Sequence, residues 1–152
     1  MIELGHVTAR KPPFRYAAYT RVGFSDTDAQ GIVYYGRYLP YFDVARTEYH
    51  RHLGPVEVGG GQFVMRANTL EFHAPARFDD LLEVFVRIER IGGTSVTYSC
   101  AAYRLDDEDG ERDTLMVTAR QTLVLVDLVE RKAIQIPAAF RERIESFESV
   151  PA

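Results

Sequence analysis

The chain has 152 residues, 46% of them hydrophobic and 26% charged, with a formal net charge of −4. That length suits one domain with a sizeable core, so a single domain over residues 1–152 is expected. The mildly acidic balance argues against nucleic acid, which needs a concentrated basic surface, and no run approaches the roughly 20 apolar residues of a membrane helix.

The opening stretch MIELGHVTAR lacks the basic start and apolar run of a secretory leader. Cys100 is the one cysteine, cannot form an internal disulfide, and sits in an apolar strand pattern as a buried thiol. The expected location is the cytoplasm. Arg15 to Gly23 reads as a first strand, with Tyr16, Ala18, Thr20 and Val22 on one side. From about Arg37 the period changes: Leu39, Phe42, Ala45, Tyr49 and Leu53 recur at helical steps. Pro40 falls in the first turn, where a missing N–H costs little, and Gly54-Pro55 stops the helix.

Four further strands are predicted at Gln62–Phe72, Leu82–Ile91, Thr94–Leu105 and Thr114–Asp127, each rich in β-branched or aromatic residues. Gly92-Gly93 reads as a two-residue hairpin, and DDEDGERD (106–113) as a solvated acidic loop. A short helix closes the chain at about Ala138 to Phe147. The order is strand, long helix, then four strands in a meander, with the helix as the main cover for the sheet. Open sheet edges predict pairing with a second copy, hence a homo-oligomer, dimer or tetramer.

The stretch with chemistry in it is SDTDAQGIVYYGRYLPYF, residues 25–42. A helix N-terminus has unpaired N–H groups and about half a positive charge. Residues Gly31, Ile32, Val33, Tyr34, Tyr35 and Gly36 precede this helix, and the amides of Tyr35 and Gly36 form a candidate oxyanion hole for acyl transfer, with Gly31 and Tyr34 as candidate substrate contacts. Gly31 permits a tight turn that brings Asp28 to the same point, as nucleophile or as general base toward water. The alternative is that Asp and Thr here are turn and cap residues, Asp26 above all.

The same segment, SDTDAQGIVYYGRYLPYFDVARTEYHRHLG, resembles the opening signature of the hotdog-fold acyl-CoA thioesterases of the 4-hydroxybenzoyl-CoA thioesterase type, D-x-D-x-x-G-[IV]-[VI]-[YFW]-[YHF]. FHAPARFDDLLEV and RIGGTSVTYSCAAYR resemble the second and third blocks of that family. The resemblance implies an α+β hotdog fold, an antiparallel five-stranded sheet wrapped around one long central helix. It implies hydrolysis of an acyl-CoA thioester, with Asp28 as the catalytic carboxylate and the Tyr35 N–H polarising the carbonyl. Relatives that use a histidine at the Tyr35 position differ from this chain, which has Tyr. The resemblance also puts CoA nucleotide contacts at Arg90, Thr94 and Ser95; the alternative for Arg90 is a solvated strand-end charge. No metal or redox cofactor is implied.

Other candidates carry less. His50 and His52 are two apart on a helix and project to opposite faces, unlike metal pairs. The carboxylates of DDEDG miss the calcium register, and Gly59-Gly60-Gly61 has no Lys-Ser/Thr after it. Asp43 is expected to pair with Arg46. A hotdog dehydratase and a non-catalytic acyl-binding module remain as rival functions.

Overall fold

The computed structural model describes residues 2–149. Strands β1 (Gly5–Val7) and β2 (Tyr16–Arg21) come first. Two 3₁₀ turns, Phe24–Asp26 and Tyr35–Arg37, precede helix α1 (Tyr38–Leu53). Strands β3 (Gln62–Phe72), β4 (Leu81–Ile91), β5 (Ser95–Leu105), β6 (Asp113–Asp127) and β7 (Lys132–Ala133) follow, and helix α2 (Ala138–Glu148) closes the fold. The five long strands and the long helix read from the sequence are all present, and two short strands enlarge the antiparallel sheet to seven.

The order of strands differs from the expected four-strand meander. β4, β5 and β6 are consecutive neighbours, but β3 pairs with β6 at the far edge, from Gln62 opposite Val126 to Phe72 opposite Val117. The sheet runs β1-β2-β4-β5-β6-β3, with β7 on β6. Segment 73–80 therefore crosses over β6 and β5 to reach β4, about 14 Å at the usual strand spacing. That span is well within its reach, so nothing local distinguishes it from a loop between neighbours. The β4–β5 connection also differs: it is the loop 92–94, closed by the Gly92 N–H donating to the Ser95 carbonyl at 2.7 Å.

Helix α1 lies across the concave face. Tyr38, Tyr41, Phe42, Ala45 and Tyr49 are buried against Val84, Val86, Val96, Cys100, Val117 and Leu125 of the sheet. Leu39, expected on this stripe, is 37% exposed; Tyr38 and Tyr41 take the place at the helix start. Periodicity defines the width of an apolar face but leaves its starting phase to the contacts. At the other end Gly54, φ +88°, turns the chain and donates to the His50 carbonyl at 3.0 Å. Pro55 cannot continue the helix.

The opposite face is buried over β2 and β4, where Ala17, Glu83 and Phe85 are fully enclosed. The N-terminal arm covers them: the Phe14 ring lies 5.9 Å from Phe85, and the Lys11 ammonium 4.3 Å over the Tyr103 ring. Arg10 and His6 both pair with the buried Glu83 carboxylate. Burying a phenylalanine such as Phe85 is worth about 2–3 kcal/mol. No helix among the described residues is long and apolar enough to cross a membrane.

Candidate active site

The loop from Val22 to Arg37 hangs between the start of α1 and the crossover 73–80. Val22 exchanges bonds with this crossover: its N–H donates to the Asp80 carbonyl at 2.9 Å, and its carbonyl accepts the Asp79 N–H at 3.0 Å. Val33 donates to the Ala76 carbonyl at 2.8 Å, and Ala76 donates to the Tyr38 hydroxyl at 3.3 Å. Inside the loop a bridge joins Thr27 and Val33, and the Asp28 N–H donates to the Ile32 carbonyl at 2.9 Å. Gly31 makes this reversal at φ +79°, a conformation that side-chain-bearing residues rarely adopt.

The two aspartates of the loop meet different surroundings. Asp26 is buried and saturated: it accepts the Gly23 N–H at 2.9 Å, the Tyr41 hydroxyl at 2.7 Å and the Arg37 Nε at 3.0 Å. Burial by itself pushes its carboxyl up, but the bonds from Tyr41, Gly23 and Arg37 outweigh this and hold it below its ordinary value. The turn role read for Asp26 is present, and it also ties the loop to α1.

Asp28 is half-buried. Its Oδ1 accepts the Gln30 N–H at 2.8 Å, an Asx-turn, while Oδ2 meets no donor among the described residues. It lines a cleft of about 510 Å³ with Ile32, Tyr35, Tyr38 and the wall Phe72–Pro75. The Tyr35 and Tyr38 rings stand edge-on to Phe72, at 6.5 Å and 5.9 Å. The Tyr34 ring lies tilted against Tyr35, 4.3 Å between centroids, outside the cleft. Its hydroxyl is raised above the usual phenol value, first by the hydrogen bond with Tyr35 and further by the charge of Asp28.

The main chain after Asp28 supplies donors. Tyr35 and Gly36 open a 3₁₀ turn, so neither N–H has an acceptor within it, and neither meets one elsewhere among the described residues. The turn itself is closed by the Arg37 N–H donating to the Tyr34 carbonyl at 2.8 Å. The result is an anionic side chain with a free oxygen and a pair of unengaged amides, set on one short loop beside an apolar-aromatic cleft.

Arg90 and Ser95 do not belong to this cleft. With Arg66, Arg120 and Thr97 they line a separate depression of about 480 Å³. Thr94 is absent from both; its carbonyl accepts the Leu125 N–H at 2.9 Å. Sequence reasoning missed Tyr38 and the wall Phe72–Pro75 as site residues. Their signal was the FHAP segment, whose place beside the loop depends on the crossover. Among the helix candidates, Asp43 pairs with Arg46 as expected. His50 and His52 diverge, His50 toward Tyr98 and His52 toward Glu3.

The family model described as the thioesterase superfamily matches residues 30–111. The chain belongs to the thioesterase superfamily. The matched span begins just past Asp28 and takes in the cleft wall and both arginines Arg66 and Arg90. This thioesterase is 34% identical over 121 residues to the acyl-CoA thioester hydrolase YbgC of Escherichia coli O6:H1, covering 77% of this chain and 86% of that one. Its fold is similar to a crystal structure of a thioesterase superfamily protein from Jannaschia sp. CCS1, with a TM-score of 0.78, 21% identity, and 93% and 88% of the two chains covered. It is likewise similar to the 4-hydroxybenzoyl-CoA thioesterase from Pseudomonas sp. strain CBS-3, with a TM-score of 0.71, 24% identity, and 84% and 96% covered. These neighbours share the hotdog arrangement of sheet and central helix, and membership makes the chain a thioester hydrolase.

Proposed function

We propose that this thioesterase cleaves acyl-CoA thioesters to the free acid and CoA in the Asp28 cleft. The observation that carries the reading is the free Oδ2 of Asp28 in the cleft that Tyr35 also lines. The substrate carbonyl oxygen accepts the Tyr35 and Gly36 N–H groups, which are fixed before charge develops and so favour the tetrahedral intermediate. As general base, Asp28 takes a proton from water while the water oxygen bonds to the carbonyl carbon. Collapse breaks the C–S bond, and the proton held by Asp28 passes to the departing CoA sulfur. As nucleophile, Asp28 itself bonds to that carbon, expels CoA, and leaves an anhydride that water hydrolyses.

Support for CoA as the carrier comes from the YbgC relative, named as an acyl-CoA thioester hydrolase, and from the arginine depression. Arg66 and Arg90 have no carboxylate partner among the described residues, and Arg120 pairs only with Glu89 at 2.7 Å. Such guanidinium groups suit the phosphates of the nucleotide, with Ser95 and the neighbouring Thr94 at the same hairpin. Gly31 and Tyr34 shape the loop that admits the thioester.

We place the enzyme in the cytoplasm as one domain over 1–152 that works as a homo-oligomer, a dimer or a tetramer built of dimers. β3 supports this assembly, because its outer edge is unpaired and Val64, Met65 and Phe72 are exposed along it. Two copies joined antiparallel along β3 bring the acyl group between subunits.

Asp28→Asn tests the site. With a panel of acyl-CoAs and a thiol reagent, CoA release is expected to fall about 100-fold or more, with folding and acyl-CoA binding retained. Wild-type turnover by the Asn variant would overturn the role of Asp28. Binding without CoA release by the unaltered protein would instead favour an acyl-binding module.

A further inference from the structure

A second apolar cleft lies at the other end of α1. It measures about 410 Å³, and its walls include Leu53, Phe63, Leu123, Phe140 and Ile144. Five polar side chains interrupt this lining; Arg46 is engaged by Asp43 and Gln121, Thr47 by the Asp43 carbonyl and Arg143 by the Leu53 carbonyl, and the other two are His50 and Tyr98. They bond to one another, Nε2 to hydroxyl, at 2.5 Å, and Tyr98 is only 3% exposed. His50 stacks on Phe140 at 5.8 Å and meets Tyr98 edge-on, so both rings are held. The His50 imidazole is pushed down to about 4, by burial first and the Arg46 charge second, and is neutral through the physiological range.

The pair is only half used. A neutral imidazole has one donor and one acceptor nitrogen, and a phenol donates once and accepts twice. Their mutual bond leaves the second ring nitrogen of His50 and further capacity on the Tyr98 hydroxyl, with no other partner for either among the described residues. Water serves such positions in the free protein, but an apolar ligand end that displaces it leaves them unpaired at a cost in binding.

Within one chain this cleft is far from Asp28. α1 has 16 residues, which at the usual rise is about 24 Å of helix between the two. Edge pairing changes that distance. An 11-residue strand that pairs antiparallel with its own copy makes most bonds when centred on its middle residue, Ala67. In that register Phe72 of one copy lies beside Gln62 and Phe63 of the other. Phe72 walls the Asp28 cleft and Phe63 walls the second one.

We infer that the cleft at the C-terminal end of α1 receives the far end of an acyl group whose thioester sits at Asp28 of a partner copy, and that His50 and Tyr98 select acyl groups with a hydroxyl or carbonyl at that end. The inference rests on the Asp28 reading and on pairing along β3. Apolar walls hold the chain, and a terminal oxygen completes the open positions of the pair. A purely hydrocarbon end leaves those positions unfilled, which sites built for a hydroxyl penalise strongly.

The test compares kcat/KM for octanoyl-CoA with ω-hydroxyoctanoyl-CoA, and for phenylacetyl-CoA with para-hydroxyphenylacetyl-CoA. The hydroxylated member of at least one pair is expected to be preferred by about 10-fold or more. In Tyr98→Phe that ratio falls toward one, and in His50→Leu, which opens the same bond from the other side, it falls likewise. Mixed dimers of Asp28→Asn with Tyr98→Phe locate the site. If the clefts act across subunits, the one live site has both intact groups and the wild-type preference returns. If they act within one chain, the live site lacks Tyr98 and the preference stays lost. Equal rates for both members of each pair, a preference that survives both substitutions, or no return in the mixed dimers would overturn the inference. In each of these cases an inert Asp28→Asn parent leaves the catalytic reading standing; an active parent removes that reading instead.

Discussion

Asp26 and Asp28 are the same residue type two positions apart, and their surroundings give them different work. Asp26 has its oxygens occupied by Tyr41, Gly23 and Arg37 and acts as a structural pin. Asp28 has one oxygen tied into a turn and one open to the cleft. Asp26→Ala is expected to cost about 2–3 kcal/mol at pH 7, because it strands the Tyr41 hydroxyl and the Arg37 guanidinium. The folded carboxyl is depressed from the ordinary value of 3.8, so its contribution is full above that value and is lost as pH falls through the folded value. Urea unfolding at pH 7 and pH 3 checks this: the gap between wild type and variant should narrow at pH 3, and a constant gap would contradict the assignment. The motif of two flanking aspartates was visible in the sequence. Which one was saturated was not, because Tyr41 and Arg37 reach Asp26 only when α1 folds back over the loop.

Helix α2 is clipped to the core by one carboxylate. Glu148 accepts the Tyr49 hydroxyl at 2.6 Å and the Ile88 N–H at 2.9 Å, joining α2 to both α1 and β4. Burial raises its carboxyl above the ordinary value of 4.5, and the bonds from Tyr49 and Ile88 offset this only in part. A raised folded value means the native state keeps a proton that the unfolded chain has released, so stability declines as pH rises from 4.5 through the folded value. Glu148→Gln retains an acceptor oxygen without that titration. Its stability relative to wild type should therefore improve between pH 4 and pH 7, read as the shift in urea midpoints. A relative stability that is flat, or that falls between pH 4 and pH 7, would refute the account. The helix itself was legible from Ile136-Pro137 onward, but the clip pairs residues about 60 and 99 positions apart.

Among the described residues β3 is the one long strand with an open edge, and in the proposed pairing that edge brings the two clefts together. In that proposed pairing Ala67, at the middle of β3, would face its own copy across a two-fold axis. Ala67→Lys would bring two like charges together there, which costs an interface several kcal/mol and weakens the dimer by at least about 10-fold. Light scattering over a concentration series reads the mass, and thioester hydrolysis should fall along with the dimer. An Ala67→Lys protein that stays dimeric at the same concentrations would show that the copies meet elsewhere. The expected pairing along a sheet edge came from the sequence, whereas the identity of that edge did not: with the meander reading, β3 would have been next to β4.

Local chemistry wrote much of this protein into its sequence. The five long strands, the helix from Tyr38 to Leu53 with its Gly54-Pro55 stop, and the turn at Gly31 each follow from preferences that act within a few residues. Tertiary structure alone decided that β3 joins β6, that Tyr38 rather than Leu39 faces the core, that Phe72–Pro75 wall the Asp28 cleft, and that Arg90 belongs to another surface. Those outcomes depend on which distant segments bury one another's apolar faces, and that competition is settled by packing over the whole sheet, beyond the range of any neighbouring residues.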